Sequence, residues 1–321
     1  MKVRGSRVLI TGGAGFVGSH IADALVAQGA GEIIILDNFI RGRRENLAEA
    51  ERSGRVEVLE GDIRDQGMVE DAMKGVDYVF HQAALRITQC AETPREAMEV
   101  MLMGTFNVLE AAVRNGVQKI VAASSASVYG EPSYLPIDEL HPLNNRTLYG
   151  AAKIANEQLL RSFKEMWRLP YVALRYFNVY GPRMDIYGAY TEVLVRWLDN
   201  IDRGEPPVIF GDGQHSMDFV YVGDVAEANL AALKSKYSDD VFNVGTGKET
   251  RLGELCQLLL ELTGRNDLQP LYQAERQVNP VRRRKASIVR AREGPGFIAR
   301  TEIRDGLKAL IKWREQVKSP V

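Results

Sequence analysis

Cysteine is nearly absent: Cys90 and Cys256 are the two in 321 residues, and neither belongs to a Cys-x-x-Cys unit or lies near a pair of histidines. That pattern excludes a disulfide framework and a zinc site, and isolated thiols fit a reducing compartment such as the cytoplasm. Long apolar runs are missing too, with nothing approaching the ~20 residues needed to span a bilayer. The short basic start, residues 1–6, runs straight into an apolar strand without the apolar core and small-residue cleavage site of a secretory leader. Nor is there an excess of charge of either sign. Lys and Arg number 41 against 42 Asp and Glu, a formal net charge of −1, which argues against broad sequence-independent nucleic-acid binding because that needs a basic surface. Internal repeats and low-complexity segments are lacking as well. The expectation is a cytoplasmic protein that holds no metal and binds neither nucleic acid nor membrane.

What is present is an alternation of short β-branched runs and helical patterns. The runs at 7–10, 32–36, 56–59, 78–81, 120–123 and 172–175 read as buried parallel strands. Helical periodicity falls between them, at 20–28, 98–115 and from 148 onward. Such alternation predicts an α/β fold of the Rossmann type, a doubly wound parallel sheet covered on both faces. Beyond residue 175 the elements shorten, with strands expected at 208–210, 218–222 and 241–244 and helices at 191–203, 225–234 and 252–263. A soft boundary near Arg175 therefore divides a dinucleotide-binding and catalytic domain, 1–175, from a smaller α/β substrate-binding region, 176–321, the two being free to interleave. With 321 residues the chain is long enough to bury a substantial core.

The first chemical signal is Thr11-Gly12-Gly13-Ala14-Gly15-Phe16-Val17-Gly18, which follows a strand and opens a helix. Gly12 permits a tight turn, Gly15 a close approach of backbone to pyrophosphate, and Gly18 close helix–strand packing. The helix N-terminus offers its N–H groups and positive dipole end to phosphates. Glycine patterns also occur in plain tight turns; the strand before, the helix after and Asp37 at the end of the next strand mark this one as a dinucleotide site. The Asp37 carboxylate suits the adenosine ribose hydroxyls and repels a 2′-phosphate, which favours NAD over NADP. Arg41, Arg43 and Arg44 nearby could neutralise such a phosphate, or simply form a solvated loop. Asp62 and Ile63, after the third strand, are placed to hold the adenine edge.

The second signal is Tyr149 followed by Lys153, four residues apart and so on one helical face. A lysine ammonium beside a buried tyrosine favours its phenolate, which would make Tyr149 a general acid/base near neutral pH. The cluster Ser124-Ser125-Ala126-Ser127 ends a predicted parallel strand, and the carboxyl edge of such a sheet is where α/β ligand sites form. A serine hydroxyl there could bond both a substrate oxygen and the tyrosine, although a serine after a strand is also a common cap or turn residue.

Together with His81-Gln82-Ala83-Ala84, Ser124 to Gly130, Tyr149 to Lys153, Arg175 to Arg183 and Asp218 to Val225, the glycine loop resembles the NAD-dependent epimerase/dehydratase family of extended short-chain enzymes, over nearly the whole chain. The resemblance implies NAD as cofactor and a nucleotide sugar, most simply UDP-linked, as substrate. It implies that Tyr149 removes the sugar hydroxyl proton, that Lys153 holds the nicotinamide ribose and lowers the tyrosine pKa, and that Ser125 bonds the reacting oxygen. Asn38, Gln82, Ala83, Ala84 and Tyr176 join Gly12, Gly15, Phe16, Val17, Asp37, Asp62 and Ile63 as expected cofactor contacts. Arg86, Ser127, Asn178, Tyr190, Val193, Arg282 and Arg284 are the expected substrate contacts, Asn178 at the nucleotide phosphates. A homodimer built from the helices near 98–115 and 148–163 is implied as well.

Dehydratases of this family carry an Asp-Glu pair just after the catalytic Ser/Thr, and uronate decarboxylases a Glu one residue further on. Here those positions are Ala126 and Ser127, neither able to act as a base near pH 7. Epimerisation needs no such base, so the expectation is a 4-epimerase acting through a transient 4-keto sugar. Three departures qualify the resemblance. Met217 stands where the family has a pyrophosphate arginine, the segment 85–94 is a residue short, and Arg282 to Ile288 resembles the Arg-Lys-Pro-(Asp/Ser)-Ile segment of uronate decarboxylases. In those enzymes the arginine matching Arg284 reaches a substrate carboxylate; alternatively Arg282 or Arg283 binds pyrophosphate and Arg284 faces solvent. UDP-glucuronate decarboxylation and a non-catalytic NAD-binding regulator are the competing readings.

Overall fold

In the computed structural model, residues 1–187, 192–275 and 281–318 are described. Seven strands form one wholly parallel sheet: β1 (Arg7–Thr11), β2 (Glu32–Asp37), β3 (Val56–Glu60), β4 (Tyr78–His81), β5 (Lys119–Ser125), β6 (Tyr171–Tyr176) and β7 (Asp239–Val244). Their spatial order is β7-β6-β5-β4-β1-β2-β3. The strands are apolar on both faces because both faces are covered. Val8, Ile10, Ile33, Ile35, Phe80 and Val121 point to one layer, which includes the helices Phe16–Ala27 and Val222–Lys234. Leu9, Ile34, Leu36, Val79 and Ile120 point to the other, covered by Gln66–Met73, Thr105–Arg114 and Leu148–Trp167. Among the described residues no helix is long and apolar enough to cross a membrane.

The seventh strand and the helix before it come from beyond Arg175, so the chain leaves the sheet after β6 and later returns to it. Between these passages, and after them, lies a smaller layer with its own core around Trp197, Leu198, Ile209, Leu255 and Leu259. Short strands Ser216–Met217 and Phe219–Tyr221 stand where one strand, 218–222, is expected. Buried Asp218 divides them. Its carboxylate accepts hydrogen bonds from Thr246 N (2.7 Å), Thr246 Oγ1 (2.7 Å), Gly247 N (2.8 Å) and Ala286 N (3.2 Å), pinning three segments at one point. The strand before Asp218 pairs with Arg283–Arg284 and the strand after it with Asn178–Tyr180.

The expected helix at 98–115 is broken into Pro94–Met98, a π segment Glu99–Gly104 and Thr105–Arg114. The Thr105 hydroxyl donates back to the Met101 carbonyl (2.6 Å), a side-chain bond that competes with the regular ladder. The same oxygen meets His81 Nε2 at 2.9 Å, while His81 Nδ1 meets Thr11 Oγ1 at 2.7 Å. Since the Thr105 proton goes to Met101, Nε2 carries the imidazole hydrogen and Nδ1 accepts. Burial pushes His81 down to about 3, so it ties β1 and β4 to the helical layer as a neutral ring.

Lys119, fully buried at the start of β5, caps the helix Val222–Lys234. Its ammonium donates to the carbonyls of Ala232 (2.6 Å), Ser235 (3.1 Å) and Leu233 (3.3 Å), at the negative end of the helix dipole. Replacing it with methionine removes all three bonds, and only the Ala232 carbonyl keeps another donor, the Ser235 hydroxyl at 2.8 Å. Lys119→Met should therefore lower unfolding free energy by about 2 kcal/mol, read from the urea midpoint; an unchanged midpoint would contradict the capping role.

Candidate active site

Strand order reverses between β1 and β4, and a crevice opens at the carboxyl edge of the sheet at that point. It continues into the smaller layer as a single cleft of about 1910 Å³. The glycine loop forms its floor. Gly12 has φ +68°, and a Cβ there would lie 2.7 Å from the Ala83 nitrogen; a Cβ on Gly18 would lie 2.3 Å from the Gly12 carbonyl oxygen. Only glycine fits at either place. The helix Phe16–Ala27 begins at Gly15 without a side-chain cap and without an acidic residue in its first turn. Its first N–H groups thus face the cleft as an anion site.

Asp37, a buried residue that closes β2, accepts from Ala14 N (3.0 Å) and Phe39 N (2.9 Å) through its carboxylate. Burial raises its pKa, opposed by those backbone bonds. The carboxylate braces the glycine loop and keeps acceptor capacity toward the cleft. Each of the arginines that follow is engaged by the protein itself. Arg41 pairs with Asp185 at 3.5 Å, Arg43 stacks 3.8 Å from the Tyr187 ring centroid, and Arg44 pairs with Glu51 at 2.6 Å. Asp62 is held well below the usual carboxylate range, at about 2, by the Arg64 fork. Tyr176 donates to Gln82 Oε1 (3.0 Å) and accepts from Asn229 Nδ2 (2.8 Å) at the cleft base. Every cofactor residue expected from the sequence borders this cleft.

Ser125, the last residue of β5, and Tyr149, in the first turn of Leu148–Trp167, share a side-chain hydrogen bond. Ser125 Oγ also accepts from Ser127 N at 3.1 Å, which starts the short turn Ala126–Tyr129. Lys153 is buried beneath them with Nζ donating to the Ala123 carbonyl (2.7 Å), 5.8 Å from the Tyr149 ring centroid. The expected depression of the tyrosine pKa is not found. Burial pushes Tyr149 up to about 12, while the Ser125 bond works in the opposite direction. The ammonium is directed at a carbonyl and not at the phenol oxygen, so desolvation of the phenolate wins. Lys153 itself is pulled down to about 8 by burial.

On the substrate side the cleft is bordered by Arg86, Ser127, Asn178, Val193 and Arg284. Arg86 pairs with Asp185 at 3.4 Å, so Asp185 joins arginines from two loops. Asn178 Oδ1 and Arg284 Nε are buried without a hydrogen-bond partner. Arg282 is a correction: it is not on the cleft, and its exposed side chain pairs with Glu275 at 3.1 Å. Arg283 likewise turns outward to Glu249 (2.6 Å). Alternation along Arg283–Arg284 sends the next side chain inward, where burial lowers Arg284 to about 10. Tyr190 lies outside the described residues. Met217, the residue in register with Arg284 on the neighbouring strand, also borders the cleft. His215, which also borders the cleft and meets Glu275 at 3.1 Å, sits in a loop without a spacing signal and was missed by sequence reasoning.

Comparison with known proteins places this geometry. The model of the NAD dependent epimerase/dehydratase family matches residues 8–245. A Methanocaldococcus jannaschii protein assigned as a UDP-glucose 4-epimerase is 38% identical, over 95% of this chain and 97% of its own. A UDP-N-acetyl-alpha-D-glucosaminuronate decarboxylase from Bacillus cytotoxicus is 31% identical, over 98% and 99%. Among solved structures, a UDP-N-acetylglucosamine 4-epimerase from Methanobrevibacter ruminantium M1, in complex with UDP-N-acetylmuramic acid, superposes with a TM-score of 0.92 at 32% identity, covering 98% of this chain and 99% of that one.

The Asp37 carboxylate borders the cleft, and the three arginines that follow it, Arg41, Arg43 and Arg44, are all engaged with partners in the protein. NAD should bind at least ~100-fold more tightly than NADP, equivalent to about 2.7 kcal/mol, by calorimetry on protein stripped of nucleotide. Comparable affinities would contradict this reading of the loop.

Proposed function

The chain belongs to the NAD dependent epimerase/dehydratase family, and on that premise we propose that it is an NAD-dependent 4-epimerase of UDP-linked sugars. One observation carries the reading: Ser125, Tyr149 and Lys153 converge at the carboxyl edge of β5, and the next positions, Ala126 and Ser127, supply no carboxylate. NAD fits the cleft, because the glycine floor admits no Cβ and the uncapped helix N-terminus offers N–H groups to a pyrophosphate. When bound, NAD supplies the hydride acceptor and, oxidised, a positive charge that favours the Tyr149 phenolate. Tyr149 takes the proton from the C4 hydroxyl and later returns it to the 4-keto oxygen. Ser125 holds that oxygen in line. Lys153 orients the nicotinamide ribose with its ammonium, and Asn178 turns its unpartnered oxygen and amide toward the nucleotide. Without a carboxylate base at Ala126 or Ser127 to take the C5 proton, the keto sugar does not eliminate water; it turns over and is reduced on its other face.

Several finer assignments accompany this reading. Residues 1–175 with the returning segment 222–244 make up the cofactor unit, and the rest of 176–321 the sugar unit. Exposed Met103, Met166 and Trp167 support a homodimer through the helices at 98–115 and 148–163. The two buried free thiols support residence in the cytoplasm.

Arg284 favours a second reading, that the sugar carries a carboxylate. A buried guanidinium with an unpartnered Nε facing the substrate cleft calls for an anion. Lying in register with Met217, it could instead meet the pyrophosphate from the adjacent strand. Arg284→Met separates the two. A carboxylate contact predicts that UDP-glucuronate turnover falls ~100-fold with UDP-glucose turnover spared; a pyrophosphate contact predicts that both fall together.

The main reading is tested by incubating the protein with UDP-glucose, UDP-N-acetylglucosamine and UDP-glucuronate, with and without NAD, and separating products by anion exchange. A C4 epimer without net NADH is the expected result; a pentose or accumulated keto product would overturn it. No turnover with NAD retained would favour the regulator. Tyr149→Phe should lower kcat at least ~1000-fold. Because the active form pairs a Tyr149 phenolate with a Lys153 ammonium, and Lys153 is held at about 8, kcat/KM should rise with pH and stop rising by about that value; a rate that keeps climbing ~tenfold per unit from pH ~8 to ~10 would contradict the ammonium's role.

A further inference from the structure

Glu157 stands eight residues after Tyr149 and four after Lys153, so all three share one face of Leu148–Trp167. That face is hooked to the end of β5 at two consecutive residues. Lys153 Nζ donates to the Ala123 carbonyl at 2.7 Å, and the Ser124 hydroxyl donates to Glu157 Oε1 at 2.5 Å. Arg175, in register with Ser124 on β6, closes a fork on the same carboxylate, Nε to Oε1 at 2.9 Å and Nη2 to Oε2 at 2.6 Å. Its Nη1 reaches the Tyr129 hydroxyl (2.9 Å), which donates to Asn243 Oδ1 (2.6 Å) on β7. Both members of the ion pair are almost wholly buried. An apolar pair of the same volume would hold these elements together at least as well, so packing alone does not account for the charge.

We propose that Glu157, fixed by Ser124 and Arg175, is the positioning residue that sets both the location and the charge of Lys153 against Ser125 and Tyr149. The proposal rests on the epimerase reading only for the use made of Lys153. Ser125 follows directly after the two hooked residues, so its hydroxyl is placed by the same contacts that place the helix. The charge argument follows from what faces the Lys153 amine. Tyr149 and Glu157 come from its own helix, Cys90 from Ile87–Glu92, and His81 from β4. Cys90 is a buried thiol and His81 a neutral imidazole. Cys90 would favour the ammonium more strongly than Glu157 if it were a thiolate, but burial raises its pKa and keeps it a neutral thiol, which leaves the Glu157 carboxylate to favour the ammonium against the desolvation that opposes it.

The test uses the NAD-loaded protein with carbon-13-labelled lysine, in which the Lys153 midpoint is followed by NMR. Glu157→Gln should lower that midpoint, and kcat should fall at least ~tenfold with KM changed less than ~twofold. Because that variant leaves Arg175 buried without a counter-charge, Ser124→Ala, which removes a single hydrogen bond, is measured alongside. It should fold, retain NAD, and lower kcat ~threefold or more at unchanged KM. A Lys153 midpoint that does not move in Glu157→Gln, or a folded Ser124→Ala with wild-type kcat, would overturn the proposal. The NMR arm reads Lys153 even in a protein that turns over no sugar, so failure of the epimerase reading is seen separately, as an inactive wild type.

Discussion

The cofactor half of the cleft is placed by the reversal of strand order between β1 and β4. Chain connections leave the two strands in opposite directions, so no helix covers the edge between them. The glycine loop after β1, Asp37 after β2, Gln82 after β4, Ser125 at the end of β5 and Tyr176 at the end of β6 all come to that edge because parallel strands end on the same side. Right-handed crossovers leave little freedom in this arrangement. The short elements after β6 extend the crevice into the larger cleft.

The electrostatics of the cleft follow from which charges are already satisfied. Asp37 is bonded to its own glycine loop, Arg41 and Arg86 converge on Asp185, and Asp62 is held by Arg64. Arg284 and Asn178 differ, carrying buried atoms without partners toward the substrate half. Buried polar groups without partners are costly in a folded chain, and such groups on a cleft are where a ligand gains the most from binding. The uncapped helix N-terminus at Gly15 belongs with them on the cofactor side.

Much of this was legible in the sequence because it depends on local spacing. The glycine loop, the strand-terminal Asp37 and the Tyr149–Lys153 pair carry their meaning within a few residues, and the parallel sheet follows from apolar runs buried on both faces. Asp218 was not legible as a break, since its three partner residues lie 28 residues and more downstream. Thr105, which follows the π segment and bonds back into it at Met101, reads like any helical threonine. Inward and outward arginines at 282–284 are distinguished by pairing with the 216–217 strand, which no spacing reveals. The sign of the Tyr149 shift failed for a related reason: spacing puts Lys153 on the right face, but the ammonium points to the Ala123 carbonyl, and burial decides the pKa.

The central claim is that hydrogen leaves C4 of a nucleotide sugar and returns to the same carbon on the opposite face. The most direct measurement uses UDP-glucose carrying deuterium at C4, in water containing no label, with the product examined by NMR and mass spectrometry. The account predicts a C4 epimer that keeps its deuterium at C4. Loss of the label to solvent, or its appearance in free NADH, would contradict it.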